Sequence, residues 1–296
     1  MKKLLSALLV CLGLATSAFA KEQVTIVYAF GVGDNQTNYY RTLAREANAM
    51  QNKYQFLFDV KGGAGSTVAA KYVLTTPNTI LATSSAHFIR PNFFPEESHR
   101  VEDYQELVPM CNLPVVVSSI KYKSWDSVPK DRPLNIGIAG MGSATHLFAM
   151  ELKKRYPNLE VVPFKGVSEA MTNMIGNNLD FNTSFLGDTT QWNQVTILGT
   201  TGFNRHNNNP TLVEQGFSKD LGEMDIPQHL VVPNNVDPAK ANEWRDVLTR
   251  ASKLPSVRAT YAIDFCKPLE VTDVKSWYQR QNAHWSKIAK GVKLDK

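Results

Sequence analysis

The stretch Leu134-Asn-Ile-Gly-Ile-Ala-Gly-Met-Gly-Ser-Ala-Thr-His-Leu-Phe-Ala-Met-Glu151 decides the fold. It begins as an apolar strand, turns at Gly140 and Gly142, and continues with apolar residues at helical spacing. Ser143 or Thr145 can cap this helix, because a short hydroxyl side chain can accept hydrogen bonds from the first free N–H groups. The helix dipole adds roughly half a positive charge at the same place. The pattern therefore predicts an anion-binding turn that needs no basic side chain.

The N-terminus has the pattern of a secretory signal peptide. Lys2 and Lys3 form a basic region, residues 4–14 are apolar, and Ala18-Phe19-Ala20 is a small-x-small cleavage site. We expect the mature chain to begin at Lys21 and to be soluble, because no later segment has 18 apolar residues without charge.

Composition narrows the class of protein. The chain has 296 residues, and the part after the signal peptide suits two domains of about 100–150 residues each. Its basic residues are scattered, which argues against nucleic-acid binding. The mature chain keeps Cys111 and Cys266, which either form a disulfide or lie as two separate buried thiols. No CxxC motif or His/Cys cluster is present, so we predict no metal site.

Strands alternate with helices along the first part of the chain. Strands over 24–30, 56–60 and 79–83 each run into a turn rich in Gly, Ser or Asn, and the first two turns open helices. This alternation predicts mostly parallel sheets flanked by helices, with ligands at the carboxyl ends of the strands.

Two extended segments predict that the chain crosses between two lobes. Residues 107–120 are apolar and extended, and residues 228–233 resemble a second crossover. We therefore predict a signal peptide over 1–20, a discontinuous first lobe over 21–114 plus 231–296, and a second lobe over 115–230. Two crossings form a hinge, so the lobes could close on a ligand.

Five segments, in this order and spacing, resemble one family. They are Gly63-Ala-Gly-Ser66, Gly140-Met-Gly-Ser-Ala-Thr-His146, Val162-Pro-Phe-Lys-Gly166, Pro210-Thr-Leu-Val-Glu-Gln-Gly216, and Trp285 with Ile288 and Gly291. The family is the periplasmic substrate-binding receptors of tripartite tricarboxylate transporters, also called Bug receptors.

This resemblance implies an α/β, two-lobed periplasmic binding protein with a ligand cleft between its lobes. Such a receptor has no catalytic activity and no cofactor, and it delivers a small organic acid to membrane transporter subunits. We expect a periplasmic monomer. The resemblance places the first-lobe loop at 30–35, where Asp34 replaces the second of two adjacent glycines and Thr37 stands where the family has aspartate.

The candidate ligand-binding residues lie in the strand-end turns of both lobes. They are Phe30, Gly31, Gly33, Asp34, Asn35, Ser84 and Ser85 in the first lobe, and Gly140, Gly142, Ser143, Thr145, His146, Lys165, Gly166, Gly187 and Asp188 in the second. His146 either contacts ligand or packs its own helix, and Asp188 could instead cap a helix. If Asp34 and Asp188 both face the cleft, the ligand could also carry a cationic group, as an amino acid does.

Two other functions fit parts of the sequence. A sensory or partner-binding receptor would capture ligand in the same way. An exported serine hydrolase would use Ser84, Ser85 or Ser143 as nucleophile and His87 or His146 as base, but no Gly-x-Ser-x-Gly motif is present.

Overall fold

The structure is a computed structural model that describes residues 20–292. The predicted signal peptide, apart from Ala20, lies outside the described residues. Two β-sheets flanked by helices form the two lobes. None of the helices described is long and apolar enough to cross a membrane.

The first lobe is built on a six-stranded sheet. The first part of the chain supplies β1 (Glu22–Tyr28), α1 (Gln36–Met50), β2 (Tyr54–Val60), α2 (Thr67–Thr75), β3 (Thr79–Ser84), α3 (Ala86–Phe93) and β4 (Tyr104–Leu113). β1 lies between β2 and β3 and pairs in parallel with both. The carboxyl ends of β1 and β3 therefore meet at one edge of this sheet.

The second lobe is built on a five-stranded sheet. Its elements are β5 (Val115–Ser119), β6 (Leu134–Ile138), α4 (Ala144–Arg155), β7 (Leu159–Pro163), α5 (Val167–Ile175), β8 (Phe181–Phe185), α6 (Leu186–Thr190) and β9 (Thr196–Thr200). β6 pairs in parallel with β7 and β8, so the turns after β6 and β8 also share one edge.

The chain then returns to the first lobe. Its last elements are β10 (Ile226–Pro233), α7 (Pro238–Ser252), α8 (Pro255–Ile263), β11 (Lys267–Pro268) and α9 (Val274–Lys290). β10 pairs with β3 and β4 from Ile226 onward, so the first sheet resumes ahead of the predicted boundary at 231. The discontinuous sheet order, β11-β4-β10-β3-β1-β2, follows from this return.

Both sheets are mixed, which corrects the expectation of mostly parallel sheets. β10 is antiparallel to β3 and β4, and β5 is antiparallel to β8 and β9. The physical reason is the way the chain crosses between lobes. Only Pro114 separates β4 from β5, and no helix intervenes to turn the chain as parallel pairing requires.

A disulfide joins Cys111 on β4 to Cys266 just before β11. The sequence left this pairing open, and the structure resolves it. The bridge lies within the first lobe and ties the C-terminal end of α8, which carries Asp264 into the cleft, to the sheet.

Candidate ligand-binding site

The two lobes enclose a small cavity at the carboxyl ends of their strands. Its volume is about 20 Å³, which is room for roughly one water molecule. The first lobe contributes Tyr28, Phe30, Asp34, Ser84, Ile226 and Gln228, and the second contributes Ala139, Ser143, Ala144, Thr145, Val167 and Phe185. Among the predicted site residues, the cavity lining thus includes Phe30, Asp34, Ser84, Ser143 and Thr145.

The second-lobe turn directs hydrogen-bond donors at this cavity. The Ser143 hydroxyl caps α4 by accepting from the His146 N–H at 3.2 Å, and the Thr145 hydroxyl accepts from the Ala139 N–H at 2.9 Å. The two hydroxyl oxygens are 2.8 Å apart, so one hydroxyl donates to the other. One hydroxyl hydrogen of the pair is then left for a ligand. The N–H groups of Ala144 and Thr145, in the first turn of α4, have no intrahelical acceptor either.

His146 lies behind this turn. Its Nδ1 accepts from the Gly142 N–H at 3.1 Å, its ring packs against Phe93, and it is not part of the cavity lining. Burial, with a smaller effect of the Arg90 charge, lowers the pKa of His146 to about 4. A neutral imidazole that accepts from Gly142 stabilises the glycine turn, so the geometry favours packing over ligand contact.

The first-lobe turn is organised by Asp34, which is only 2% exposed. Its Oδ2 accepts from the Gly31 N–H at 3.0 Å and from the Tyr28 hydroxyl at 3.3 Å. Its Oδ1 accepts from the N–H and the hydroxyl of Ser168, in the other lobe, at 3.1 and 2.8 Å. Burial raises the pKa of Asp34 from 3.8 to about 6, although the hydrogen bonds from Ser168 and Gly31 act in the opposite direction. Asp34 therefore bridges the lobes through protein donors.

Asn35 connects two further carboxylates to this turn. Its N–H donates to Asp188 Oδ1 in the second lobe at 3.2 Å, and its side-chain amide donates to Asp264 Oδ1 at 3.2 Å. Asp264 also accepts from the Gln36 amide at 3.0 Å and from the Tyr39 hydroxyl. Burial, followed by repulsion from Asp264 and Asp34, raises the pKa of Asp188 well above its usual range. Burial also raises the pKa of Asp264.

The sequence of a transporter receptor family matches across this architecture. The profile described as tripartite tricarboxylate transporter family receptor matches residues 41–294. The chain belongs to this family. No curated protein matches the sequence of this receptor at a significant level.

Solved structures with the same fold include three periplasmic proteins. BugD is 20% identical with a TM-score of 0.83, and the match covers 93% of this receptor and 99% of BugD. Rpa4515 of R. palustris, solved with adipate, is 18% identical with a TM-score of 0.80, over 93% and 99% of the two chains. MatC of Rhodopseudomonas palustris, solved with malate, is 17% identical with a TM-score of 0.77, over 92% and 100%. At these identities the likeness establishes the two-lobed fold.

Glycines bring the two lobes of this receptor into backbone contact. A Cβ atom on Gly166 would lie 2.6 Å from the Gly31 nitrogen and 2.7 Å from both Asp34 carboxylate oxygens. A Cβ atom on Gly187 would lie 2.1 Å from Asp264 Oδ1, and the Gly187 N–H hydrogen-bonds Asp264. These glycines are needed for close approach of the lobes rather than for ligand contact through side chains.

The remaining predicted residues have different positions. Gly33 faces Ser168 across the interface, and Gly140 faces Gly65. Ser85 is buried outside the cavity lining, and its hydroxyl has no partner among the described residues. Lys165 is exposed and lies in an outer groove between the lobes. It is the predicted residue that the structure places farthest from the enclosed site in chemical terms, because water solvates its ammonium group.

The alternative that Asp188 caps a helix needs correction. α6 begins at Leu186, its N-cap position is Phe185, and Asp188 lies inside its first turn. One oxygen of Asp188 accepts from Asn35 across the interface, and Oδ2 has no partner within the described chain.

Sequence reasoning missed four residues that shape the site. Tyr28 and Gln228 line the cavity, while Ser168 and Asp264 hold the lobes together. A polar Gln228 within the otherwise apolar strand β10 was an available signal. Asp264 gave none, because only folding brings it to the first-lobe turn.

The geometry does not assemble the serine hydrolase alternative. The Ser143 hydroxyl bonds Thr145, Ser84 Oγ accepts from the Ala86 N–H, and His87 Nε2 bonds Tyr278. Within residues 20–292, no serine hydroxyl is hydrogen-bonded to a histidine ring nitrogen, as a nucleophile–base pair requires. In the same residues, no group of three or more His, Cys, Asp or Glu side chains could hold a metal ion.

Proposed function

We propose that this receptor works in the periplasm, binds a small carboxylate between its two lobes, and presents it to the membrane subunits of a tripartite transporter. It acts as a monomer and performs no catalysis. One observation carries the proposal. The N-terminus of α4 directs two backbone N–H groups and a hydroxyl hydrogen into a cavity that the first lobe closes.

Carboxylate binding follows from the chemistry of these donors. Hydrogen bonds from N–H and O–H groups to a carboxylate are charge-assisted and stronger than neutral ones. The Gly140 and Gly142 backbones, at φ of +88° and +77°, shape a turn that brings the N–H groups close to the ligand. Bound carboxylates in two proteins of the same fold, adipate in one and malate in the other, support this assignment.

Closure is the step that a membrane partner would recognise. Asp34, Asn35 and Gly187 each bond across the interface, so the closed form differs from an open one in its exposed surface. A ligand that contacts both lobes shifts the population toward the closed form.

A thermal-shift screen of the mature protein against mono-, di- and tricarboxylates tests ligand capture. A ligand at 100 times its Kd should raise stability by about 2.7 kcal/mol. Failure of every acid, with no ligand released from the denatured protein, would contradict the proposal. Fractionation tests the periplasmic location, and loss of uptake of the identified acid after gene deletion tests transport.

A further inference from the structure

We propose that the ligand is a small monocarboxylate with an uncharged, largely apolar body, and that its single carboxylate binds at the N-terminus of α4. This inference rests on the proposed function and narrows it. It follows from an asymmetry between the two lobes, because only one of the two strand-end turns has donors left for a ligand.

The second-lobe turn forms one anion site. Ser143 and Thr145 are 4% and 2% exposed, and both line the cavity with Ala144. Their mutual hydrogen bond leaves one hydroxyl hydrogen, which joins the Ala144 and Thr145 N–H groups. Three donors at one helix terminus satisfy one carboxylate group.

The donors of the first-lobe turn already bind the protein's own acceptors. The Gly31 N–H donates to Asp34, the Asp34 N–H to the Gly31 carbonyl at 3.2 Å, and the Asn35 N–H to Asp188. Asp188 thus occupies the place at the start of α1 that a ligand carboxylate would take. A second ligand carboxylate would have to displace this internal one.

A second carboxylate would also meet negative charge. Asp34 lines the cavity, and of the residues described, none that lines it is a lysine or an arginine. No ion pair within residues 20–292 joins Asp34, Asp188 or Asp264 to a basic side chain. Like charges in a cavity that excludes water repel strongly, so the site discriminates against a dianion.

The body of the ligand should carry no cationic group. Asp34 accepts four hydrogen bonds from Gly31, Tyr28 and Ser168, which fills the roughly four lone-pair positions of a carboxylate. It therefore has no acceptor site for a ligand ammonium group. The other walls are chiefly apolar and fit a hydrocarbon body: Phe30, Ala139, Val167, Phe185 and Ile226.

The test compares acids matched in carbon number by calorimetry at pH 7.5. The probes are butyrate against succinate, hexanoate against adipate, and butyrate against 4-aminobutyrate. We expect at least one monocarboxylate to bind about ten-fold more tightly than its matched dicarboxylate and its amino derivative, which equals about 1.4 kcal/mol. Tighter binding of succinate, adipate or 4-aminobutyrate would overturn this inference and leave the proposed function standing. If no acid binds, the proposed function falls with it.

A variant locates the source of the discrimination. Asp188→Asn removes one negative charge, and its amide oxygen can still accept from the Asn35 N–H. We expect the preference for monocarboxylates to narrow by about five-fold. Asp246→Asn on the exposed face of α7 changes the net charge equally and should leave the preference unchanged. An equal effect of both variants, or none for Asp188→Asn in a folded protein, would contradict the role of the internal carboxylate.

Discussion

The turn after β1 and the turn after β6 have the same sequence pattern but different roles. Each follows a buried strand, contains two glycines and opens a helix. The N–H groups of the first turn bind Asp34 and Asp188, whereas the second keeps donors directed at the cavity. Two similar motifs can therefore divide one task, with one holding the lobes together and the other holding the ligand.

The largest expected effect comes from blocking the contact between the turns. Gly166→Ala places a Cβ atom against the Gly31 nitrogen and the Asp34 carboxylate in the other lobe. Gly166 has φ −159°, so alanine fits the backbone of its own lobe. We expect ligand affinity to fall about 100-fold because closure is obstructed. Calorimetry measures the affinity, and small-angle scattering should show the open form with ligand present.

Gly291→Ala is the matched control for this substitution. Gly291 ends α9 at φ −77°, and an added Cβ would have no neighbour closer than 3.3 Å. Equal loss of affinity in both variants, or normal closure of the Gly166→Ala protein, would show that backbone contact between the turns is unnecessary.

A smaller effect should follow from changing the ligand-facing turn. Ser143→Ala removes one hydroxyl of the Ser143–Thr145 pair and with it a charge-assisted hydrogen bond, so we expect affinity to fall about ten-fold. The variant also loses the cap of α4, which should cost about 1 kcal/mol of unfolding free energy. Calorimetry and chemical denaturation measure the two effects separately.

Asp237→Ala provides the comparison for the lost cap. Asp237 caps α7 by accepting from the Lys240 N–H, and its removal should cost similar stability. If this variant weakened binding as much as Ser143→Ala does, the loss would reflect stability rather than a ligand contact.

The smallest effect concerns pH and the first-lobe turn. Opening exposes Asp34 to water and returns its pKa toward 3.8, whereas closure raises it to about 6, so closure takes up protons. Affinity should therefore rise as pH falls, by about four-fold between pH 7.5 and 5.5 for Asp34 alone. Asp188 and Asp264 act in the same direction because their pKa values are also raised. The groups facing Asp34 are Tyr28, Gly31 and Ser168, none of which is cationic.

Calorimetry in buffers of different ionisation enthalpy measures this proton uptake directly. Asp34→Asn should reduce it, because amide groups do not titrate. An affinity that falls on acidification would contradict the sign derived from burial.

Local patterns were sufficient for the ligand-facing turn. Strand, glycine turn and capped helix are neighbours in sequence, and Ser143 and Thr145 needed no distant partner to be found. Local patterns could not decide which donors stay available. The role of Asp34 depends on Ser168, 134 residues away, and that of Asn35 on Asp264, 229 residues away.

By itself, the sequence determined the two-lobed α/β fold and the family, because strand–turn–helix periodicity and ordered motifs are local properties. The tertiary structure alone decided that the sheets are mixed, that Cys111 and Cys266 are bonded, and that the first-lobe turn binds the protein's own carboxylates. The physical reason is that a carboxylate's partner and pKa depend on which groups folding brings within hydrogen-bond distance, and on how much water folding excludes.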